Sequence, residues 1–210
     1  MRLRIESVLQ RAPMVPVITV ENIDDAVPLA RALVAGGLRV LEVTLRTDCA
    51  LQAISRIKAE VEGVIVGAGT VLTPEDIQRA VDAGSDFIVT PGATPRLLQA
   101  GVACGVAFLP AVATASEMMV AMEFGLNIFK FFPAEAAGGV KTLKAFAGPF
   151  PQVKFCPTGG IGPHNWQDYL QLPSVLTVGG TWVCPSALIE AGNWTEIERL
   201  SRAAAEQVTA

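Results

Sequence analysis

Lys130 lies inside the apolar run Asn127-Ile128-Phe129-Lys130-Phe131-Phe132-Pro133, a setting in which lysine is hard to leave in water. Burying an ammonium without a partner disfavours its charged form. Only the unprotonated nitrogen attacks a ketone to form a Schiff base, so this lysine is a candidate for carbonyl chemistry. The competing reading of the run is an edge-strand lysine that snorkels its amine to solvent. The other lysines, Lys58, Lys141, Lys144 and Lys154, lie in polar or helical settings. Glu42 is a second ionisable group of the same kind. In Val40-Leu41-Glu42-Val43-Thr44-Leu45-Arg46-Thr47 the period of a strand puts Val40, Glu42 and Thr44 on one face. If that face points inward, Glu42 is a candidate general acid and base. Arg46, just beyond, is placed to hold a small carboxylate bidentately. Here the competing reading is a Glu42–Arg46 salt bridge at a rim.

The elements that must position these groups follow a regular plan. Short β-branched or aromatic runs cover Val15–Val20, Val40–Thr44, Val64–Gly69, Phe87–Thr90, Val106–Pro110, Ile128–Phe132, Val153–Pro157 and Val175–Val178. Each is followed by a turn and then an amphipathic stretch: Asp24–Ala35, Asp48–Glu60, Pro74–Ala83, Thr94–Ala103, Ser116–Phe124, Val140–Ala147, Asn165–Leu170 and Thr195–Ala205. Thr73-Pro74-Glu75-Asp76 reads as an N-cap, a first-position proline and first-turn acids. Gly36, Gly84 and Gly125 read as C-terminal stops. Strand–helix units repeating every ~20 to 26 residues predict an α/β fold, the (β/α)8 TIM barrel. The first dozen or so residues precede the first strand and predict an extra N-terminal helix closing the bottom of the barrel. An open doubly wound sheet is disfavoured because the glycine fingerprint fails: Gly67-Ala68-Gly69 is followed by Leu72 where a third glycine belongs. No linker divides the chain, so residues 1–210 are expected to form a single domain.

In such a barrel function collects at the C-terminal ends of the strands. Strand three ends Gly67-Ala68-Gly69-Thr70, with a hydroxyl after glycines that permit close backbone approach, and strand four ends Thr90-Pro91-Gly92. Pro91, and Phe132 beside Lys130, join Arg46, Thr70 and Thr158 as candidate substrate-binding residues. Strand seven runs into Cys156-Pro157-Thr158-Gly159-Gly160-Ile161-Gly162 and strand eight into Val178-Gly179-Gly180-Thr181. Glycine-rich loops at these two places predict a phosphate site formed by backbone N–H groups of Gly159, Gly160, Gly179 and Gly180 with the Thr181 hydroxyl.

Composition excludes several other classes. A net charge of −4 without any basic cluster argues against nucleic acid. The stretch between Arg96 and Glu117 is free of charge, but Gly101, Gly105 and Pro110 interrupt it, so helix followed by buried strand explains it better than a membrane span. The N-terminus lacks a signal-peptide core. Cys49, Cys104, Cys156 and Cys184 show no metal or disulfide spacing and read as small core residues in a reducing compartment. The single histidine, His164, follows Gly162-Pro163 at a helix start and reads as a surface residue. No metal and no cofactor are expected.

The segments Glu42-Val43-Thr44-Leu45-Arg46-Thr47, Gly67-Ala68-Gly69-Thr70, Phe129-Lys130-Phe131-Phe132-Pro133-Ala134-Glu135, Pro157-Thr158-Gly159-Gly160-Ile161 and Gly179-Gly180-Thr181-Trp182 resemble, in this order, those of the 2-keto-3-deoxy-6-phosphogluconate (KDPG) aldolases. That family also covers 4-hydroxy-2-oxoglutarate aldolase activity. The resemblance implies a metal-independent class I aldolase of the Entner–Doudoroff pathway, a homotrimer of (β/α)8 barrels in the cytoplasm. Carried across by motif, Lys130 resembles the Schiff-base lysine and Glu42 the general acid and base. Arg46 and Thr70 resemble ligands of the pyruvate carboxylate, and Thr158 the threonine controlling stereochemistry at the aldehyde end. Gly159, Gly160, Gly180 and Thr181 resemble the phosphate cradle, with Thr181 standing where serine is more usual. Its rivals are a phosphate-binding barrel isomerase or decarboxylase without a covalent intermediate, and a non-enzymatic scaffold that kept the phosphate site.

Overall fold

A computed structural model describes residues 3–207 of the chain. The strands are β1 (Val15–Ile18), β2 (Val40–Thr44), β3 (Ile65–Gly69), β4 (Phe87–Val89), β5 (Ala107–Leu109), β6 (Ala111–Val112), β7 (Ile128–Phe131), β8 (Lys154–Pro157) and β9 (Gly179–Gly180). All ladders are parallel, in two sheets of order β5-β4-β3-β2-β1-β9 and β6-β7-β8. The helices are α1 (Ile5–Leu9), α2 (Ala26–Ala35), α3 (Ala50–Glu60), α4 (Pro74–Asp82), α5 (Pro95–Ala103), α6 (Ala115–Glu123), α7 (Gly139–Phe146), α8 (Trp166–Leu170), α9 (Ser186–Glu190) and α10 (Trp194–Glu206). None of the described helices is long and apolar enough to cross a membrane.

Period-two alternation sorts the core into two compartments. Leu41 and Val43 of β2 and Phe129 and Phe131 of β7 pack in one cluster with helix residues such as Leu33, Ile54 and Leu143. The alternate residues Val40, Phe87, Val89, Leu109, Ile128 and Cys156 meet one another in a second cluster. Val8 and Leu9 of α1 belong to that second cluster and are fully buried, so the expected extra helix does seat against the strands. Burying side chains of this size is worth roughly 1.5 to 3 kcal/mol each, enough to fix so short a helix by packing rather than by propensity. Outer helices start where the sequence signals them. Thr73 caps α4 in a reciprocal box with Asp76, Thr94 caps α5, and Thr114 forms a second box with Glu117.

Several expectations need correction. The predicted fifth strand stops at Pro110, which has no N–H to give, but pairing resumes beyond it: β5 pairs with β4 and β6 with β7, so the chain changes sheet there. The Pro110 carbonyl still accepts from Lys130 N at 3.0 Å. The predicted eighth strand, Val175–Val178, is not a regular strand. Ser174 and Leu176 bond to Phe155 while Val178 bonds to Val15 on the other side, and an even ladder forms only at Gly179–Gly180. Helix α9 has no counterpart among the predicted helices. Gly36 does not end its helix in the left-handed region; Gly37 does, with φ 96°. Gly36 is constrained by packing, since a Cβ there would lie 2.3 Å from Ser201 Cβ on α10.

Gly67 makes room for an aromatic ring, because a Cβ on it would lie 2.5 Å from three ring atoms of the fully buried Phe87. Gly67→Ala should therefore overpack the inner cluster and cost ~1 to 3 kcal/mol, read as a lower denaturant midpoint at unchanged slope. An unchanged midpoint would show that the Phe87 ring can move aside freely.

Candidate active site

Glu42 and Lys130 meet across the interior. Glu42 lies in register with Val17 and Gly67 on the six-stranded sheet, and Lys130 with Ala111 and Cys156 on the three-stranded one. Lys130 Nζ donates to Glu42 Oε1 at 3.0 Å, with residue exposures of 6% and 3%. The expected inward face of β2 is thus borne out, and neither competing reading holds: the lysine does not snorkel, and Glu42 is paired with Lys130 rather than with Arg46. The expectation of an unpartnered ammonium is corrected as well. Burial of either charge alone would cost several kcal/mol, so the two are tolerated here because each neutralises the other.

The surroundings shape this pair. The Phe132 ring centroid is 5.3 Å from Lys130 Nζ, within reach of a cation–π contact. A Cβ on Gly69 would lie 2.3 Å from Glu42 Oε1, so this glycine serves first to admit the carboxylate. Thr44, on the same face of β2, donates to the Ile18 carbonyl at 3.0 Å and shares a hydroxyl contact with Thr19 at 3.0 Å. Cys156, beside Lys130, is pushed up to about 12, first by burial, with the Lys130 charge opposing and the Glu42 charge adding. Thr158 Oγ1 is buried and makes no hydrogen bond of normal geometry; the Cys156 thiol is its polar neighbour.

The remaining sequence-predicted residues stand around the rim. Arg46 and Thr70 line one cavity of about 240 Å³ with Thr47, Asp48 and Asp76, but neither Glu42 nor Lys130 lines it. Among the described residues Arg46 makes no ion pair, and Thr70 is the one non-glycine residue at positive φ, 57°. Such a backbone is held only where its surroundings over-determine it, and it is a marker of functional positions. Pro91 follows β4 and is half-buried, as is Phe132. Gly159 and Gly160 are left-handed, with φ 101° and 76°. Gly179 and Gly180 are not bare: Cβ atoms there would lie 2.4 Å from Thr158 Oγ1 and 1.9 Å from the Trp182 ring. Thr181 is exposed and shares a cavity of about 390 Å³ with Thr19 and Trp182. A cavity of about 440 Å³ at the opposite ends of the strands, lined by α1 and the starts of β5 and β7, is remote from all these groups. His164 is exposed, and no group of three or more His, Cys, Asp or Glu suited to a metal occurs among the described residues. Reading the sequence missed Thr19, Cys156 and the buried Tyr169. Cys156 could have been found, since it precedes Thr158 by one strand period.

The chain is similar to known aldolases over nearly its whole length. The family model described as KDPG and KHG aldolase matches residues 5–200. The KHG/KDPG aldolase of Escherichia coli strain K12 is 54% identical over 201 residues, 96% of this chain and 94% of that protein. The 2-dehydro-3-deoxy-phosphogluconate aldolase of Dickeya dadantii is 50% identical over 205 residues, 98% of this chain and 96% of that protein. A solved structure of KDPG aldolase from Legionella pneumophila, with pyruvate captured as a covalent carbinolamine intermediate, is similar with TM-score 0.95 and 46% identity, covering 96% of this chain and 98% of that one.

Cys184, like Cys156, is held at about 12 by burial, whereas Cys49 and Cys104 are only half-buried. At pH 8 a thiol reagent should modify Cys49 and Cys104 quickly in the folded protein and reach Cys156 and Cys184 only on denaturation. Fast native modification of Cys156 would mean that the interior beside Lys130 is open to solvent.

Proposed function

Since the chain belongs to the KDPG and KHG aldolase family, we propose that it reversibly cleaves KDPG to pyruvate and glyceraldehyde 3-phosphate through a Schiff base on Lys130, and acts also on 4-hydroxy-2-oxoglutarate. The observation that carries this reading is the buried Lys130–Glu42 hydrogen bond of 3.0 Å. A proton passing along it from Nζ to Oε1 leaves a neutral amine and a neutral acid, so the nucleophile appears without stranding a charge in the interior. The amine lone pair attacks the C2 ketone. Glu42 returns its proton to the C2 oxygen and then carries a second one to it from the attacking nitrogen, so that the oxygen departs as water and leaves a protonated imine beside the Glu42 carboxylate. That cation takes up the electron pair of the breaking C3–C4 bond while the Glu42 carboxylate accepts the C4 hydroxyl proton. Glyceraldehyde 3-phosphate leaves, the enamine is protonated at C3, and water hydrolyses the imine to free pyruvate and the amine. The Phe132 face close to Nζ favours the cationic imine.

Arg46 and Thr70 are assigned to the pyruvate carboxylate, supported by the unpaired guanidinium and the strained backbone beside it. Thr158 is assigned to the aldehyde end, supported by its buried hydroxyl. Pro91 and Phe132 flank the substrate. Gly159, Gly160, Gly179, Gly180 and Thr181 are assigned to the phosphate through backbone N–H groups and the Thr181 hydroxyl. In this reading the two sheets close into one (β/α)8 barrel forming a single domain over the described residues 3–207; the change of sheet at Pro110 and the isolated bridge Thr158–Gly179 support the closure. A homotrimer in the cytoplasm, serving the Entner–Doudoroff pathway without metal or cofactor, follows from the family resemblance.

Reduction with borohydride in the presence of pyruvate should fix one pyruvyl adduct, on the peptide containing Lys130. An adduct on Lys141, Lys144 or Lys154, or none at all, would sink the assignment and favour an isomerase or decarboxylase working without a covalent intermediate. Glu42→Gln keeps an acceptor for Nζ but no proton shuttle, and kcat for KDPG cleavage should fall by ~10² to 10⁴-fold. Thr181→Ala tests the phosphate assignment more cleanly than a change at Gly180, where a side chain would displace the Trp182 indole. It should raise KM for KDPG and leave 4-hydroxy-2-oxoglutarate cleavage nearly unchanged; equal losses on both substrates would remove the loop from the phosphate site.

A further inference from the structure

Tyr169 is the one tyrosine of the chain, and it is fully buried on α8. Its hydroxyl donates to Glu135 Oε1, on the exposed turn between β7 and α7. The same turn is tied to the loop after β8 through its backbone: Ala134 N donates to the Thr158 carbonyl at 2.8 Å and Glu135 N to the Gly159 carbonyl at 3.1 Å. The Glu135 stem lies across Gly160, where a Cβ would come within 2.7 Å of its Cβ and Cγ. On the other side, a Cβ at Gly139 would lie 2.9 Å from the Tyr169 hydroxyl and 3.0 Å from Glu135 Oε1. Two left-handed glycines therefore leave the backbone bare where this pair passes. Asn165, also at the start of α8, holds the same loop by donating to the Gly160 carbonyl at 3.1 Å and accepting from Gly162 N at 2.9 Å. Burial first, and the Glu135 carboxylate second, push the Tyr169 phenol above its ordinary value, so the hydroxyl remains the donor.

We propose that Tyr169 and Glu135 are positioning residues, a brace that fixes the turn following Lys130 against the loop Thr158–Gly160. Through it, the groups assigned to the aldehyde and phosphate end are set at a defined distance from the Schiff-base lysine. The inference rests on the functional reading given above. Among the described residues no hydrogen bond joins the brace to the Lys130–Glu42 pair, so imine formation with pyruvate proceeds without it, whereas capture of the phosphorylated half depends on it.

The test compares Tyr169→Phe, Glu135→Ala, Glu135→Gln and the Tyr169→Phe/Glu135→Ala double variant in KDPG cleavage and in borohydride trapping of pyruvate. Tyr169→Phe and Glu135→Ala should each raise KM for KDPG about three- to tenfold, with trapping unchanged. Glu135→Gln, whose amide oxygen still accepts from the phenol, should stay within about twofold of the parent. The double variant should be no worse than either single change, because both remove one interaction. Additive losses, equal damage by Gln and Ala, or parallel loss of trapping would overturn the proposal. Absorbance titration of the single phenol adds an independent reading: Glu135→Ala should lower its midpoint, burial remaining, and an unmoved midpoint would show that the hydrogen bond does not act. Glu135 is exposed, so its two variants carry the test if Tyr169→Phe does not fold. A parent protein that fails to cleave KDPG would strike the functional reading, whereas an active parent with unaffected variants would strike the brace alone.

Discussion

A lysine and a glutamate facing each other in a dry interior constrain everything around them. Neither charge is tolerable there singly, so the fold must deliver both, from strands far apart in sequence, to within hydrogen-bond distance. That requirement fixes the register of β2 with β3 and of β7 with β8, because a slip of one residue on either strand would turn its ionisable group out among the helices. It also explains why Gly69 must lack a side chain: the carboxylate occupies the space a Cβ would take.

The apolar layer beneath the pair is the second half of the same constraint. Phe87, Val89, Leu109 and Ile128 pack with Val8 and Leu9 of α1 into one buried apolar cluster toward the N-terminal ends of the strands. At the C-terminal ends of the strands stand Arg46 and Thr70, which share one cavity, and Phe132, close to Lys130. An apolar floor below the pair and polar side chains beyond the strand ends give the interior a direction.

Much of this was legible in the sequence because it is carried by local periodicity. The alternation Val40, Glu42, Thr44 places the glutamate on the inner face, and the aromatic flanks of Lys130 mark it as buried. Caps and stops placed most helices to within a residue or two. What was not legible depends on partners distant along the chain. That Lys130 would be neutralised, and by Glu42, is a contact across two sheets. The glycines were read as places where the backbone comes close to a ligand, yet Gly67, Gly69, Gly179 and Gly180 also make room for Phe87, Glu42, Thr158 and Trp182. A glycine announces that space is needed without saying what will fill it. The Tyr169–Glu135 contact was invisible for the same reason, and the eighth strand was misplaced because its segment divides its hydrogen bonds between two neighbours.

Pro110 has a mechanical consequence. The ladder is interrupted there, and on the far side of β8 it is resumed only by isolated bridges, so β6, β7 and β8 form a plate bounded by two seams. Lys130, the proposed nucleophile, lies on that plate and Glu42, its proposed proton acceptor, on the six-stranded sheet. The 3.0 Å between Lys130 Nζ and Glu42 Oε1 is therefore a distance between two plates, set by how the chain joins them at the seams and not within either ladder.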